Sequence, residues 1–212
     1  MKGLFITFEG IEGCGKSTQI SLLNDTLLSK GLPVVLTREP GGTQIGEKIR
    51  GLLLDVGSKG MSATTELLLY AAARAQHVAE IIRPALKAGK IVLCDRYFDS
   101  TAAYQGAART LDENILKKLH EIATGNCLPD ITFLLDCSVK TGFERIHNQR
   151  GKDQFDRLEL ESKNFHERVR TGYLALAKQE PDRIKIIDAT RDIQEIHGQI
   201  KNITAKVSLR GA

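Results

Sequence analysis

The sequence predicts a doubly wound α/β fold, in which one parallel sheet of five strands is flanked by helices on both faces. Two observations predict it. Short β-rich apolar runs alternate along the chain with longer segments of helical periodicity, and the runs are mostly apolar throughout, as expected of strands that are buried on both faces. The predicted strands are Leu4–Phe8, Val34–Thr37, Ile91–Cys94, Ile131–Leu135 and Ile184–Ile187.

The segments between the strands carry apolar residues at the period of an amphipathic helix. The predicted helices are Ser17–Ser29, Thr43–Leu54, Ala63–Lys87, Leu111–Ala123, Val139–Asn148, Leu158–Lys178 and Ile193–Val207. A chain of 212 residues is long enough for one good core, and no internal repeat or low-complexity linker divides it. We therefore expect a single domain that spans residues 1–212.

Composition excludes several classes of protein. Hydrophobic residues make up 42% and charged residues 26%, which is typical of a soluble globular protein. No apolar run approaches the ~20 residues of a membrane span, and Met1-Lys2-Gly3-Leu4 leads into a strand without a cleavable signal, so we expect a cytoplasmic protein with no membrane partner. The four cysteines form no C-x-x-C pair, which indicates free thiols. The net charge of +4 is interspersed with acidic residues, which favours an anionic small molecule over nucleic acid.

A phosphate-binding loop follows the first predicted strand. Residues 10–17, here called the phosphate loop, match G-x-x-x-x-G-K-[ST] at every fixed position and open a helix, as that motif requires. Backbone N–H groups should hold the phosphates, Lys16 should contact the outer phosphates and the Ser17 hydroxyl should ligate Mg²⁺. The predicted ATP-binding residues are Gly10, Ile11, Glu12, Gly13, Cys14, Gly15, Lys16, Ser17 and Thr18.

Two other nucleotide-binding classes fit the loop less well. A dinucleotide fold needs a third glycine, but position 18 is Thr. A GTPase would need an Asp followed by Gly three residues later and an Asn-Lys-x-Asp for guanine, and the chain has neither. The sequence therefore favours ATP and the transfer of its γ-phosphoryl group.

The motif Asp95-Arg96-Tyr97 comes at the carboxyl end of the third predicted strand, where open α/β sheets bind their ligands. Asp95 could hold Mg²⁺ directly or through water, and Arg96 could fork onto a phosphate. The alternative is a simple surface ion pair.

The predicted helix Ala63–Lys87 carries two stripes. We expect its polar strip to adjoin the core face, so that Tyr70 could stack on a planar base while Arg74 hydrogen-bonds the base edge. The alternative is a boundary Tyr and a solvated Arg, and we interpret His77 as structural. The expected core face is Leu67, Leu68, Ala71, Ala72, Ala75, Val78, Ala79 and Ile82, and the strip is Glu66, Tyr70, Arg74 and His77.

Two more segments bear on the site. Thr37-Arg38-Glu39-Pro40-Gly41-Gly42-Thr43 forms a turn that should direct Glu39 and Arg50 toward the sheet edge of the phosphate loop. The stretch Glu144–Arg170 is dense in both charges, which fits either a solvated helix face or a mobile lid over a nucleotide.

The chain resembles the thymidylate kinases, which phosphorylate dTMP to dTDP with ATP. The resemblance covers nearly the whole chain, and five motifs carry it in the family's order and spacing: FEGIEGCGKST, TREPGGT, LLLYAAARAQH, CDRYFDSTAAYQG and FDRLELES. It implies a fold like that of the P-loop nucleoside-monophosphate kinases with a short lid at about residues 149–162, Mg²⁺ with ATP as co-substrate, and a homodimer.

The resemblance also implies roles at the acceptor site. Arg96 corresponds to the clamp on the dTMP phosphate, with Arg50 assisting. Tyr70 corresponds to a ring that stacks on thymine, Arg74 and Gln105 to residues that hydrogen-bond its edge, and Tyr104 to a residue under the sugar that disfavours a ribose hydroxyl. Further residues match acids or polar groups near the sugar, acceptor phosphate and base: Glu12, Glu39 and Ser100.

Members of the family differ in where the catalytic arginine lies. The phosphate loop here has no arginine, and Asp156-Arg157-Leu158-Glu159 resembles the lid motif of the bacterial type, which makes Arg157 the predicted supplier. Lid hinges are expected near Gly151 and Ser162, and Arg145 and the Asp188-Ala189 turn are expected near adenine. The predicted catalytic residues are Lys16, Asp95, Arg96 and Arg157, and the predicted metal ligands are Ser17 and Asp95. Two alternatives are a P-loop kinase for another acceptor and a non-enzymatic ATP-binding regulator.

Overall fold

Five parallel strands form the centre of the computed structural model, which describes residues 3–150 and 155–210. The strands are β1 (Leu4–Glu9), β2 (Val34–Arg38), β3 (Ile91–Asp95), β4 (Ile131–Asp136) and β5 (Ile184–Asp188), in the order β2-β3-β1-β4-β5. The predicted fold class is confirmed. Each strand runs one residue beyond its predicted carboxyl end, and that added residue is charged in all five strands.

The strand order creates a binding crevice. Phe8 of β1 is in register with Asp95 of β3 on one side and with Phe133 of β4 on the other. The chain leaves β1 toward β2 at one edge of the sheet, and it leaves β3 toward β4 on the other side of β1. Connections that diverge from neighbouring strands leave a crevice at their carboxyl ends, and both the phosphate loop and Asp95-Arg96 lie there.

Helices cover both faces of the sheet. Two helical runs contain π-helical segments, Val78–Ile82 and Ala102–Ala108, and a 3₁₀ turn occupies Val56–Ser58. Pro84 follows the first π segment, which accommodates its missing N–H within a continuous helix. The α-helices are α1 (Lys16–Leu28), α2 (Gln44–Leu54), α3 (Ala63–His77), α4 (Arg83–Lys87), α5 (Phe98–Thr101), α6 (Glu113–Thr124), α7 (Val139–Arg150), α8 (Lys163–Gln179) and α9 (Ile193–Arg210).

The largest helix contact lies beside the crevice, where α8 crosses the segment Ala102–Ala108. A Cβ added at Gly172 would lie 2.7 Å from the Ala107 Cβ, so the glycine allows this close approach. The crossing fixes the face of α8 that carries His166 and Tyr173 against the cleft, and both side chains are buried.

The faces predicted for α3 and the helical run that continues it are partly wrong: Leu67, Val78 and Ile82 are buried as expected, but other residues of the predicted core face are not. Leu68 is 52% exposed, and Ala72, Ala75 and Ala79 are exposed as well. The strip residues Glu66, Arg74 and His77 are instead buried, each at 1% exposure or less. Periodicity identifies an apolar stripe but does not distinguish a stripe that packs inside the protein from one on its surface.

Two further predictions needed correction. The helical segment Phe98–Ala108 was missed, and the helix predicted from Leu158 begins at Lys163 because the Ser162 hydroxyl caps it by accepting from Phe165 N. Of the predicted lid, residues 151–154, including Gly151, lie outside the described residues. Residues 155–162 form a turn in which Asp156 Oδ1 accepts from the backbone N–H groups of Leu158 and Glu159.

Two predictions from composition can also be compared. All four cysteines are free, with Cys127 half-buried and the other three buried. Within residues 3–150 and 155–210, no helix is long and apolar enough to cross a membrane.

Candidate active site

A cleft opens at the carboxyl ends of β1 and β3. It brings together residues that are far apart in the sequence, from the phosphate loop, the turn after β2, α3, the segment after β3 and the turn at 155–162. The predicted site residues that line it are Glu12, Gly13, Lys16, Ser17, Glu39, Arg50, Tyr70, Arg74, Asp95, Arg96, Ser100, Tyr104 and Gln105.

The phosphate loop is a tight turn between β1 and α1. Gly10 and Gly13 have φ values of 135° and 70°, in the left-handed region that favours glycine. A Cβ at Gly13 would lie 2.0 Å from the Gly142 carbonyl oxygen, so the loop packs backbone to backbone on α7. Ile11 and Cys14 are 2% exposed with their side chains in the core. Only the backbone N–H groups of these two residues are therefore available to bind a phosphate. These groups lie next to the positive end of α1.

The Lys16 side chain folds back over this loop. Its Nζ donates to the carbonyl oxygens of Gly10 at 3.2 Å and of Ile11 at 3.0 Å. The ammonium group therefore lies at the mouth of the backbone cradle, where it could exchange a carbonyl for a phosphate oxygen.

Ser17 and Asp95 meet across the crevice. Ser17 Oγ lies 3.5 Å from Asp95 Oδ2, and Asp95 Oδ1 is a buried oxygen without a hydrogen-bond partner among the described residues. A buried carboxylate oxygen of this kind is costly unless a cation binds it. The pair fits Mg²⁺, which takes one or two protein oxygens and fills its remaining positions with water and phosphate.

Arg96 connects β3 to the phosphate loop. Its φ of 67° is left-handed, which is unusual for a residue with a side chain, and its N–H donates to the Phe8 carbonyl at 2.9 Å. The turn directs the guanidinium back over β1. There Nη1 donates to the Gly10 carbonyl at 2.9 Å, and Nη2 donates to Glu12 Oε1 at 3.1 Å.

Glu12 is the acid in the middle of the phosphate loop. Its Oε1 accepts from both Arg96 and the Tyr104 hydroxyl, and its Oε2 lies 3.6 Å from His166 Nδ1. Burial raises the pKa of Glu12, but Arg96, His166, Lys16 and Tyr104 outweigh burial and leave that pKa well below its usual range. Glu12 is therefore an ionised carboxylate that pairs with Arg96 inside the cleft.

Glu9, at the end of β1, does not line the cleft but accepts from two residues that do, Tyr97 and Ser100, and sequence analysis missed it. It is fully buried, and it accepts from Tyr97 N at 2.7 Å, Ser100 Oγ at 2.6 Å and the Tyr173 hydroxyl at 2.7 Å. Burial and the nearby charge of Asp99 raise the pKa of Glu9 to about 7, against the opposing effect of Arg96 and the two hydroxyls. The available signal was an acid that directly follows the predicted strand Leu4–Phe8.

The acceptor side contains a second buried ion pair. Arg74 Nε donates to Glu39 Oε2 at 2.7 Å, and the other nitrogens of Arg74 donate to Thr101 Oγ1 and the Tyr97 carbonyl. His77 Nδ1 lies 2.9 Å from Glu39 Oε1, which agrees with its structural interpretation. At 1% exposure Arg74 is not the solvated residue of the alternative interpretation.

The remaining predicted acceptor residues surround this pair. Arg50 Nη1 donates to the Pro40 carbonyl at 2.9 Å, after the cis peptide bond between Glu39 and Pro40. Gln105 Nε2 donates to Glu66 Oε1 at 2.8 Å. Burial raises the pKa of Tyr70 well above its usual value, so its hydroxyl stays protonated.

Arg157 contacts α2 and α3 rather than the phosphate loop. Its Nε donates to the Leu53 carbonyl at 2.7 Å and its Nη2 to Glu66 Oε2 at 2.6 Å, and it is 6% exposed. Its neighbours Asp156 and Leu158 line the cleft, whereas Arg157 does not. The structure thus does not bring the predicted lid arginine together with Lys16 and Arg96.

On the predicted adenine side, Arg145 Nη1 donates to the Ala189 carbonyl at 3.0 Å, so these two expected neighbours are in contact. Five other predicted residues do not line the cleft: Gly10, Ile11, Cys14, Gly15 and Thr18. Of these, Gly10 still takes part through its carbonyl oxygen, which accepts from Lys16 and Arg96.

Comparisons with known proteins agree with this geometry. The family described as thymidylate kinase matches residues 8–200. The thymidylate kinase of Geotalea uraniireducens is 52% identical over 202 residues, which cover 93% of this chain and 94% of that protein. That of Syntrophotalea carbinolica is 54% identical over 196 residues, covering 91% and 90%. The crystal structure of thymidylate kinase from Ehrlichia chaffeensis is 35% identical with a TM-score of 0.79, covering 96% of this chain and all of that one. The chain belongs to the thymidylate kinase family.

Proposed function

We propose that this chain transfers the γ-phosphoryl group of ATP to dTMP, giving ADP and dTDP, a step toward dTTP for DNA synthesis. The observation that carries the proposal is the position of Arg96. Its guanidinium contacts both the Gly10 carbonyl of the phosphate loop and Glu12 beside the predicted sugar position. One cation is thus within reach of both a donor phosphate and an acceptor phosphate.

On the donor side, residues 10–18 hold the ATP phosphates through backbone N–H groups, and Lys16 neutralises the outer phosphates. Ser17 and Asp95 would hold Mg²⁺. The metal, when bound with ATP, supplies positive charge on the phosphates that react.

On the acceptor side, Arg96 and Arg50 bind the dTMP phosphate, and Tyr70 stacks on the base. Arg74 has five N–H groups and donates three bonds to the protein, which leaves donors for the base edge. Tyr104 lies under the deoxyribose of dTMP. Glu12 accepts a hydrogen bond from the 3′-hydroxyl of that sugar. Three further residues orient these groups or the base: Glu39, Ser100 and Gln105.

Catalysis in this arrangement is positioning and electrostatic stabilisation, because phosphoryl transfer needs little covalent chemistry from the protein. Lys16 and Arg96 reduce the repulsion between two phosphates that must approach in line, and closure of the lid excludes water. Arg157 could add its charge only after giving up its contacts with Glu66 and Leu53.

We further propose a cytoplasmic homodimer. Adjacent helices α2, α3 and α6 leave an outward apolar surface, made of Leu52, Leu68, Ile115 and Ile122, each more than half exposed. A surface of this kind favours a contact with a second copy over exposure to water.

The proposal is tested by measuring ADP release from ATP with dTMP, dUMP, dCMP, AMP and shikimate as acceptors. We expect turnover with dTMP above all others, and its loss in Lys16→Ala. Preference for another acceptor would indicate a P-loop kinase of different specificity, and ATP binding without any turnover would indicate a regulator.

A further inference from the structure

Glu66 is a buried acid in the first turn of α3 that does not line the cleft. It is 1% exposed and gathers donors from two other segments. Gln105 Nε2 donates to its Oε1 at 2.8 Å, Arg109 donates to both oxygens at 3.3 Å, and Arg157 Nη2 donates to its Oε2 at 2.6 Å. Glu66 thus contacts the predicted base-binding residue Gln105, which lines the cleft, without lining the cleft itself.

The Glu66 carboxylate is ionised. Burial raises its pKa, but the hydrogen bonds from Gln105, Arg109 and Arg157 outweigh burial, so the net pKa of Glu66 lies below its usual value. An ionised carboxylate has only acceptor atoms. The atom of Gln105 that faces Glu66 must therefore be the amide nitrogen, because the amide oxygen would be repelled.

The orientation of the Gln105 side-chain amide is therefore set, because placing its NH₂ group also places its carbonyl oxygen. With its NH₂ group on Glu66, Gln105 presents its carbonyl oxygen as the group for a ligand in the cleft that it lines. A guanidinium can only donate, so Arg74 supplies the opposite polarity on the same base edge. Arg74 and Gln105 together therefore match a base that has a hydrogen-bond acceptor next to a hydrogen-bond donor on one edge.

We propose that Glu66 is a specificity-determining positioning residue, which sets the orientation of the Gln105 amide and thereby selects pyrimidines that carry an N3–H over cytosine. Thymine and uracil offer O4 as acceptor beside N3–H as donor. Cytosine offers the reverse, a 4-amino donor beside an unprotonated N3. The inference rests on the proposed function, since it takes dTMP as the acceptor.

Cytosine would leave both protein groups facing like groups in a buried site, and unpaired polar groups are what make such a site selective. Glu66 does not touch the base, so its substitution should relax this selection without removing a substrate contact. The effect differs from simple loss of packing, which would weaken all pyrimidine nucleotides alike.

The test compares kcat/KM for dTMP and dCMP in the wild type, Glu66→Gln and Glu66→Asp. In Glu66→Gln the amide can turn its NH₂ toward Gln105, which lets the Gln105 amide turn over. Glu66→Asp keeps the negative charge but places the carboxylate one methylene group farther from Gln105. This variant is the one measured if Glu66→Gln does not fold. We expect the dTMP:dCMP ratio to fall about tenfold or more, the size of one charge-assisted hydrogen bond.

The matched control is Glu180→Gln, which makes the same chemical change in an acid that pairs with Arg183 at the amino end of β5, away from the cleft. The ratio should not change in this control. Equilibrium binding of dTMP and dCMP provides a second measurement that does not need turnover. No turnover of dTMP by the wild type would overturn the proposed function, whereas an unchanged dTMP:dCMP ratio in the Glu66 variants, in rate or in binding, would overturn the inference.

Discussion

The Arg96 guanidinium and the Glu12 carboxylate form an ion pair, with 3.1 Å between Nη2 and Oε1. The two residues come from loops that follow neighbouring strands, and the Tyr104 hydroxyl contacts the same Glu12 oxygen. The ion pair keeps the positively charged Arg96 guanidinium in the cleft and restricts the direction in which that guanidinium points. A phosphate that enters must therefore bind Arg96 alongside Glu12, which favours a ligand that also offers Glu12 a hydroxyl group.

Glu12→Gln tests this relationship. The amide keeps the shape but removes the charge that orients Arg96 and the strong acceptor for a sugar hydroxyl. We expect kcat/KM for dTMP to fall about 10- to 100-fold, as the loss of a hydrogen bond between charged groups predicts, while KM for ATP changes little. Steady-state kinetics with each substrate varied in turn measures this. A rise in KM for ATP alone would instead assign Glu12 to the donor side.

The Tyr104 ring should exclude ribose. Tyr104 is 4% exposed and contacts Arg96 through its ring face, so the ring has little room to move. We expect Tyr104→Phe to keep the preference for dUMP over UMP, because the ring remains, and Tyr104→Ala to lose most of it. The measurement is kcat/KM for the two nucleotides. Equal rejection of UMP in Tyr104→Ala would assign ribose exclusion to another residue.

Glu9 should make stability depend on pH. Burial, with Asp99 nearby, raises the pKa of Glu9 to about 7 in the folded protein. Between the ordinary value of 4.5 and about 7 the folded state therefore binds a proton that the unfolded state has released. The stabilisation is complete below the unfolded pKa and is lost as pH rises through the folded pKa, so the free energy of unfolding should fall across this range.

Urea denaturation of the wild type and Glu9→Gln at pH 5 and pH 8 measures the effect. The glutamine oxygen can still accept from Tyr97 N, and its nitrogen can donate to the Ser100 and Tyr173 hydroxyls, so the variant should fold. We expect the wild type to lose more stability than Glu9→Gln between the two pH values. Parallel losses would mean that Glu9 does not titrate in this range.

Much of this structure could be predicted from the sequence. Short, mostly apolar runs predicted the five strands, and the fixed positions of the phosphate loop predicted where the ATP phosphates should bind. Which side chains pair in and behind the cleft could not be predicted, because the backbone sets the direction of each side chain. The left-handed φ of Arg96 directs it toward Glu12, and Glu66 meets Arg157 across 91 residues of sequence.

The exposed face of α3 gives a test of assembly. Leu68 is 52% exposed in a stripe with Ala72 and Ala75, next to the apolar faces of α2 and α6. We expect the wild type to be a dimer and Leu68→Glu to be a monomer, because a dimer would bury that charge without a partner. Light scattering measures the mass. Lys201→Glu is the control, since it changes the charge of an exposed residue on α9, which packs against α1 and β5 rather than against this surface. A wild-type monomer would contradict the proposed interface.

Arg157 has two possible roles that one set of measurements can separate. The family resemblance implies that it stabilises the transition state, and removal of such an arginine costs ~10³-fold in kcat. Its contacts with Glu66 and the Leu53 carbonyl indicate that it anchors the segment at 155–162 to α2 and α3. From the geometry we expect Arg157→Ala to lower the free energy of unfolding by about 3 kcal/mol, since it breaks a buried ion pair.

On the same grounds kcat for Arg157→Ala at saturating ATP and dTMP should fall by less than about tenfold, far below the loss expected of a transition-state arginine. Chemical denaturation and steady-state kinetics on one preparation give both numbers. Removing Arg157 and the Glu66 charge together should cost less stability than the sum of the single changes, because the two groups form one pair. A ~10³-fold loss of kcat with unchanged stability would instead mean that Arg157 leaves Glu66 and reaches the phosphates during the reaction.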